Sequence, residues 1–270
     1  MKIRKIMKRG LLVALAALTL IAMGCKKTNS PAGAPEGETV VNERNPATDE
    51  MGHIGNSKIE TGRNNNSSTF SIFDTPWKGE IFYQGGSNKV TYYENGTFEV
   101  SWSGTNDCAV YVGYYYGNPG VNPDGRQYDC YFRHSKTGSA GGYNFIGVHG
   151  WTVDPLVEFF IIDDWYNKPS PGILGQKMGD MVLDGDTYEI YKGQRVQSPS
   201  IQGTRTFPQY FAVRSSARLS GHINASAHLK KFESLGMELG NIYELKYFIE
   251  VGGGTGTLDC TYFFLSDGKI

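Results

Sequence analysis

The chain has 270 residues, 39% hydrophobic and 13% aromatic, and its 26 basic residues against 27 acidic ones leave a formal net charge of −1. A near-neutral balance lacks the basic field that nucleic acid attracts, and excludes that class of partner. The length allows one sizeable hydrophobic core in addition to a processed N-terminus.

Met1 to Gly24 carries Lys2, Arg4, Lys5, Lys8 and Arg9, then the apolar run Leu11 to Met23, and ends against Cys25. A basic stretch, a short apolar run and a small residue before cysteine describe a secretory signal over residues 1–24, since the run is too short to cross a bilayer comfortably. The run Ile21-Ala22-Met23-Gly24-Cys25 resembles a bacterial lipoprotein cleavage box. That resemblance implies a lipid on Cys25 and a membrane-anchored protein at the cell envelope or surface; ordinary secretion is the alternative. Residues 25–68 are rich in Asn, Gly, Pro, Ser, Thr, Glu and Lys, with no sustained period. Such a segment buries too little to offset its chain entropy and reads as a flexible tether.

From Thr69 the composition shifts to Tyr, Phe, Val, Ile and Gly, so residues 69–270 form the expected domain. Strand-like runs follow at Glu80 to Tyr83, Lys89 to Tyr93, Thr97 to Trp102, Ala109 to Tyr115, Gln127 to Arg133, Asn144 to Trp151, Leu156 to Asp163, Asp186 to Gln194, Thr204 to Arg214, Tyr243 to Val251 and Leu258 to Leu265. Turn signals such as Glu94-Asn95-Gly96 and Asp184-Gly185 separate them. One helix is expected, Ser226 to Leu235, where Leu229, Phe232 and Leu235 form an apolar stripe and Gly236 stands as a stop. Many strands with one helix argue an all-β sandwich of antiparallel sheets. Of the cysteines, Cys25 is assigned to lipid, so Cys108, Cys130 and Cys260 allow at most one disulfide, with Cys108–Cys130 the expected pair. No Cys or His cluster has metal-ligand spacing, so no catalytic metal is expected.

Two strands carry the chemistry. In Leu156 to Ile162, alternation puts Leu156, Glu158, Phe160 and Ile162 on one face, and a carboxylate among aromatic groups loses solvation unless it has partners or a task. Taken alone, Glu158 reads as an exposed glutamate on a half-wet sheet. In Tyr243 to Val251, alternation places Glu244, Lys246, Phe248 and Glu250 on one face, and Tyr243, Leu245, Tyr247, Ile249 and Val251 on the other. Two glutamates projecting into one aromatic trough are the equipment of a glycosidase. The Tyr, Phe and Trp content suits a neutral sugar polymer, whose rings offer apolar faces, although most of these aromatics belong to the core.

The runs GWTVDPLVEFFIIDDW, DGDTYEIYKGQRVQSPSIQGTRTFPQYFAVR, ASAHLKKFESLGMELG and YFIEVGGGTG recur in the order found in glycoside hydrolase family 11, and the chain resembles its endo-β-1,4-xylanases. The resemblance implies a β-jelly roll of two antiparallel sheets with one short α-helix, whose curved inner sheet forms the cleft. It implies a monomer acting on xylan without cofactors, by a retaining double displacement. Glu158 is the implied nucleophile and Glu250 the acid/base. Arg195 would help keep the nucleophile ionised, and Gln209 would contact the nucleophile and sugar. Pro199, Ser200 and Ile201 match the thumb that overhangs the cleft, with Gln202-Gly203 its turn. Tyr83 falls where relatives stack a tryptophan on the sugar. Asp107 stands where relatives carry Asn or Asp beside the acid/base, and Asp there goes with a more acidic working range.

His149 and Phe160 depart from the family, which has tyrosine at both positions. Phe160 offers no hydroxyl; His149 either replaces the lost hydrogen bond or only fills space. The second function class is therefore a surface sugar-binding protein on the same sandwich, with little or no turnover. Cleavage of β-1,4-glucan is a third reading, which the thumb and a narrow cleft oppose.

Overall fold

The computed structural model describes residues 44–62 and 66–269. The strands, in chain order, are β1 (Ser57–Gly62), β2 (Asn66–Ser71), β3 (Lys78–Gln84), β4 (Ser87–Tyr93), β5 (Phe98–Ser103), β6 (Asp107–Tyr115), β7 (Asp129–Ala140), β8 (Asn144–Val153) and β9 (Val157–Asp164). They continue as β10 (Gln176–Leu183), β11 (Asp186–Ser198), β12 (Arg205–Arg214), β13 (Ser220–Asn224), β14 (Asn241–Val251) and β15 (Gly254–Leu265). The helices are α1 (Pro171–Leu174), a single turn, and α2 (Ala225–Ser234).

One sheet has six strands in the order β1-β4-β5-β15-β7-β13, and the other has nine in the order β10-β11-β12-β9-β8-β14-β6-β3-β2. Period-2 alternation divides each central strand between two environments. On β14, Leu245, Tyr247, Ile249 and Val251 enter the core shared with the six-stranded sheet. Val157, Phe159 and Ile161 of β9 do the same, with Ile146 and Val148 of β8. Gly150 is required on β8, because a Cβ there would meet the Phe159 ring at 2.3 Å. The opposite face carries a second apolar layer, in which Phe145, Phe160, Ile162, Phe211 and Phe248 are buried.

A polar clamp joins the sheets. His134 of β7, fully surrounded by protein, bonds Tyr247 Oη and Asp164 Oδ2, each at 2.7 Å. Lys136 of β7 donates to both oxygens of Asp164. The helix α2 begins where Asn224 accepts a hydrogen bond from the Ala227 amide, and Gly236 beyond its end has φ +72°.

Three expectations are corrected. The tether boundary at residue 69 falls inside β2, and the segment from Arg44 onward already packs on the domain: β1 pairs with β4, and the Arg44 guanidinium lies 3.6 Å from the centre of the Phe264 ring. The composition of this segment is polar because β1 is an edge strand whose side chains stay largely exposed. The sheets are not purely antiparallel, since β12 runs parallel to β9. The cysteines Cys108, Cys130 and Cys260 are all free and buried. Cys108 sits on the nine-stranded sheet and Cys130 on the six-stranded one, and packed sheets stand about 10 Å apart, beyond the ~7 Å reach of a disulfide between Cα atoms. Burial pushes the Cys108 thiol up to about 12. The expected signal peptide and Cys25 lie outside the described residues. Among the described residues no helix is long and apolar enough to cross a membrane.

Candidate active site

Glu158 sits on β9 between β12 and β8. The parallel register sets Gln209 of β12 opposite Glu158, and Gln209 Nε2 donates to Glu158 Oε2 at 2.6 Å. Across β8, Trp151 opposes Glu158 and His149 opposes Phe160, which brings His149 Nε2 to 3.1 Å from Glu158 Oε1. Both carboxylate oxygens are thus held from opposite sides, while 14% of the side chain stays open. His149 is buried among the rings of Tyr111, Phe160 and Phe248, and its Nδ1 has no hydrogen-bond partner.

Glu250 lies on β14, opposite Phe145 of β8 and Ala109 of β6. Its carboxyl pKa is raised well above the usual carboxylate range, by burial first and then by the charges of Asp107 and Glu158, with Arg195 pulling the other way. Its surroundings therefore favour the protonated form of Glu250 over the ionised one. Asp107 opens β6 on the same side, two residues before Ala109. Burial raises it to about 6, restrained by a hydrogen bond from Tyr143 and by the Arg195 charge. Its Oδ1 is buried without a hydrogen-bond partner. The arrangement gives the two glutamates different surroundings: one carboxylate hydrogen-bonded from two sides, the other buried where its ionised form is disfavoured.

The same face continues into an ion cluster. Lys246, 1% exposed, donates to Glu80 Oε2 at 2.6 Å and to Glu244 Oε2 at 2.8 Å, and lies over the Tyr111 ring. Burial alone would depress the lysine pKa, but the charges of Glu244 and Glu80 more than offset this and raise it.

Of the residues read from sequence, Glu158, Glu250, Asp107, His149, Phe160, Gln209 and the Arg195 charge converge on this face. Arg195 does so differently from expectation. It is exposed at the base of the β11–β12 hairpin, and its charge acts on Glu250 and Asp107, whereas His149 and Gln209 supply the hydrogen bonds to Glu158. Phe160 is an aromatic floor, stacked on Phe211 at 4.9 Å. Pro199, Ser200 and Ile201 form the tip of that hairpin, closed by Ser200 Oγ donating to the Gly203 carbonyl at 2.6 Å, with Gly203 at φ +78°. A bulge between Arg195 and Ser198 re-aims the tip.

Tyr83 is a correction. It is 6% exposed, pairs with Cys108 and packs in the core between the sheets. A displacement of one residue along a strand reverses the face. The aromatic residue of β3 on the Glu80 face is Phe82, half-buried and set opposite the small Ala109. Phe82 was legible from alternation. Glu80 was implied by Lys246, a buried-face lysine that needed partners. Tyr143 sits just before β8, and no local pattern marked it.

A family profile, Glycosyl hydrolases family 11, matches residues 78–261. The chain is 53% identical to Endo-1,4-beta-xylanase C of Fibrobacter succinogenes, over 81% of this chain and 36% of that one. It is 35% identical to Endo-1,4-beta-xylanase S20 of Neocallimastix patriciarum, over 78% of this chain and 62% of that one. The chain therefore spans less than two thirds of the length of either relative. Among solved structures, wild-type ENZbleach xylanase superposes with a TM-score of 0.76 at 30% identity, covering 86% of this chain and 95% of that one.

Proposed function

The chain belongs to glycosyl hydrolases family 11, and from that membership we propose that it is an endo-β-1,4-xylanase that hydrolyses internal xylan linkages with retention of configuration. The observation that carries the reading is the contrast on one sheet face: both oxygens of Glu158 are hydrogen-bonded, by His149 and Gln209, while Glu250 is buried on β14 where burial and the charges of Asp107 and Glu158 disfavour its ionised form. The names borne by the similar proteins support xylan as substrate.

In the first step a Glu158 oxygen attacks the anomeric carbon, the bond to the departing sugar oxygen breaks, and the Glu250 proton passes to that oxygen. Gln209 and His149 hold the attacking carboxylate in place, which saves the orientation the uncatalysed reaction must find by chance. Formation of the glycosyl ester removes the charge of Glu158, one of the causes that raise the Glu250 pKa. Glu250, already deprotonated by the first step, is then more stable as a carboxylate and takes a proton from water, whose oxygen attacks the anomeric carbon from the face the departed sugar left and breaks the bond to Glu158. The Phe160, Phe211 and Phe248 layer beneath excludes water, and the exposed edge of Phe82 offers a ring for an apolar sugar face.

The same reading sets the protein outside the cell, acting as a monomer, with Cys25 lipidated and residues 26–43 as spacer. The basic start, the short apolar run and the Gly24-Cys25 junction support this. Mass spectrometry of the processed N-terminus tests it: a diacylated or triacylated Cys25 is expected, and a free N-terminus at another residue refutes it.

Release of reducing ends from β-1,4-xylan tests the activity. Wild-type protein is expected to generate them, and Glu250→Ala to lower the rate by at least about 100-fold, the lower end for loss of general acid catalysis. Tight xylan binding with no turnover would leave the sugar-binding reading in its place.

A further inference from the structure

On the outer side of the six-stranded sheet, Glu99 of β5 and Asp259 of β15 are direct cross-strand neighbours. Like charges in that relation destabilise a sheet unless something lies between them. Above them is His53, from the segment that precedes β1, with Nε2 at 3.0 Å from Asp259 Oδ1 and 3.6 Å from Glu99 Oε1.

A chain of hydrogen bonds decides which nitrogen of His53 is bare. Asn95 Nδ2 donates to the Gly52 carbonyl at 2.6 Å, so Asn95 Oδ1 is left as an acceptor. Thr97 Oγ1 gives its hydrogen to Asn95 Oδ1 at 2.7 Å. Toward His53 Nδ1, at 2.9 Å, Thr97 Oγ1 can then only accept. Nδ1 carries the proton, and in the neutral ring Nε2 presents a lone pair to two carboxylates. The ring is held by stacking on Tyr93, with centroids 3.8 Å apart. Tyr93 Oη also donates to Glu99 Oε2 at 2.9 Å, which leaves Glu99 Oε1 for another partner.

His53 Nε2 and Asp259 Oδ1 are both buried and neither has a hydrogen-bond partner, because at 3.0 Å they are misaligned for an N–H···O bond. Ligand bonds of about 2.0–2.2 Å at tetrahedral angles put donor atoms roughly 3.4 Å apart, off the direct line between them. The three donor atoms of His53, Glu99 and Asp259 all lie within 4.8 Å of one another. The hydrogen bond from His53 to Thr97 and that from Tyr93 to Glu99 orient two of the three, as such outer bonds do around metal ligands.

We propose that His53, Glu99 and Asp259 bind a divalent transition cation of the zinc class, which clamps the segment before β1 onto the outer sheet. One imidazole and two carboxylates favour zinc over magnesium or calcium, which take oxygen ligands. The ion neutralises the Glu99–Asp259 repulsion and ties three distant parts of the chain. It is remote in role from the Glu158–Glu250 site and has no part in hydrolysis.

The test is calorimetric titration of the EDTA-stripped protein with zinc chloride, alongside melting curves. Wild-type protein is expected to take up one equivalent, with a rise in melting temperature of about 5 to 10 °C at zinc 100-fold above Kd. His53→Gln and Asp259→Asn are each expected to lose that equivalent and the rise, and His222→Gln, which alters another histidine–aspartate pair, to keep both. Magnesium chloride is expected to give no shift. Zinc uptake and melting shifts that are the same in wild type and in His53→Gln, or absent from wild type, overturn the proposal. If His53→Gln fails to fold, the Asp259→Asn comparison decides it alone.

Discussion

Asp107→Asn is expected to move the alkaline limb of the pH–rate profile upward. Burial raises the Asp107 carboxyl to about 6, against the Tyr143 hydrogen bond and the Arg195 charge. Below that pH Asp107 is neutral. Above it, Asp107 is charged, and its charge raises the pKa of Glu250 further, which makes Glu250 a poorer acid toward the departing sugar. The sign follows: wild-type kcat/KM is expected to fall as pH rises through the Asp107 pKa of about 6. One unit above the pKa only about one Asp107 in ten keeps its proton, so the rate there falls by up to about 10-fold below its plateau. Asparagine cannot ionise, yet it still offers Tyr143 an oxygen. The variant is expected to hold its plateau through that range and to decline only where Glu250 itself ionises. Initial rates of reducing-end release at xylan well below KM, measured from about pH 4 to 9, give the two profiles. A variant whose alkaline limb coincides with that of wild type, at unchanged melting temperature, refutes the reasoning.

His149→Phe removes one of two hydrogen bonds to the nucleophile. A bond to a charged group is worth about 1.5–3 kcal/mol, so kcat/KM on xylan is expected to fall about 10- to 100-fold with the melting temperature unchanged or higher, since the unpartnered Nδ1 goes too. Lys246→Met leaves Glu80 and Glu244 facing each other without their cation. Urea unfolding is expected to show a loss of about 3 kcal/mol, at the low end for a broken buried pair because Glu80 keeps some solvent contact. Adding Glu80→Gln and Glu244→Gln is expected to restore most of that loss. His228 of α2 is fully buried with neither ring nitrogen bonded, and burial, with Arg218 nearby, lowers its pKa to about 3. The unfolded chain takes up a proton at about 6.5, so stability is lost as pH falls from there toward the folded value. His228→Phe is expected to stabilise the protein more at pH 5 than at pH 8 in urea titrations, and equal effects at both refute it.

The interior strands were legible because each is pressed on two faces or alternates cleanly. Eleven runs read from sequence correspond to β3 through β9, β11, β12, β14 and β15. The four strands that escaped, β1, β2, β10 and β13, are the four sheet edges. An edge strand pairs on one side only and keeps polar residues to discourage further pairing, so QKMGDMVL and SGHIN carry little apolar period. Residues 57–62 resemble a tether in composition for the same reason.

At the site, Glu158 and Glu250 stood out as charges in aromatic strands, and alternation alone put each beside its neighbours. Alternation along β3 separates Tyr83, which enters the core, from Phe82 on the site face, and position in a family motif does not carry that distinction. Gln209 needed the parallel β9–β12 pairing, which no local pattern encodes. Tyr143 and the His53, Glu99 and Asp259 group are assembled from distant segments, and spacing rules built on local clusters pass over them.

The most direct measurement is to trap the covalent intermediate. Incubation with a 2-deoxy-2-fluoro xylobioside bearing a good leaving group slows the second step more than the first, and peptide mass spectrometry then locates the sugar. An ester on the peptide containing Glu158, absent from Glu158→Gln, with β-configured product from ordinary xylan by NMR, is the result expected. A label on another residue, or an α-configured first product with no adduct, contradicts the assignment of Glu158 as nucleophile and Glu250 as acid.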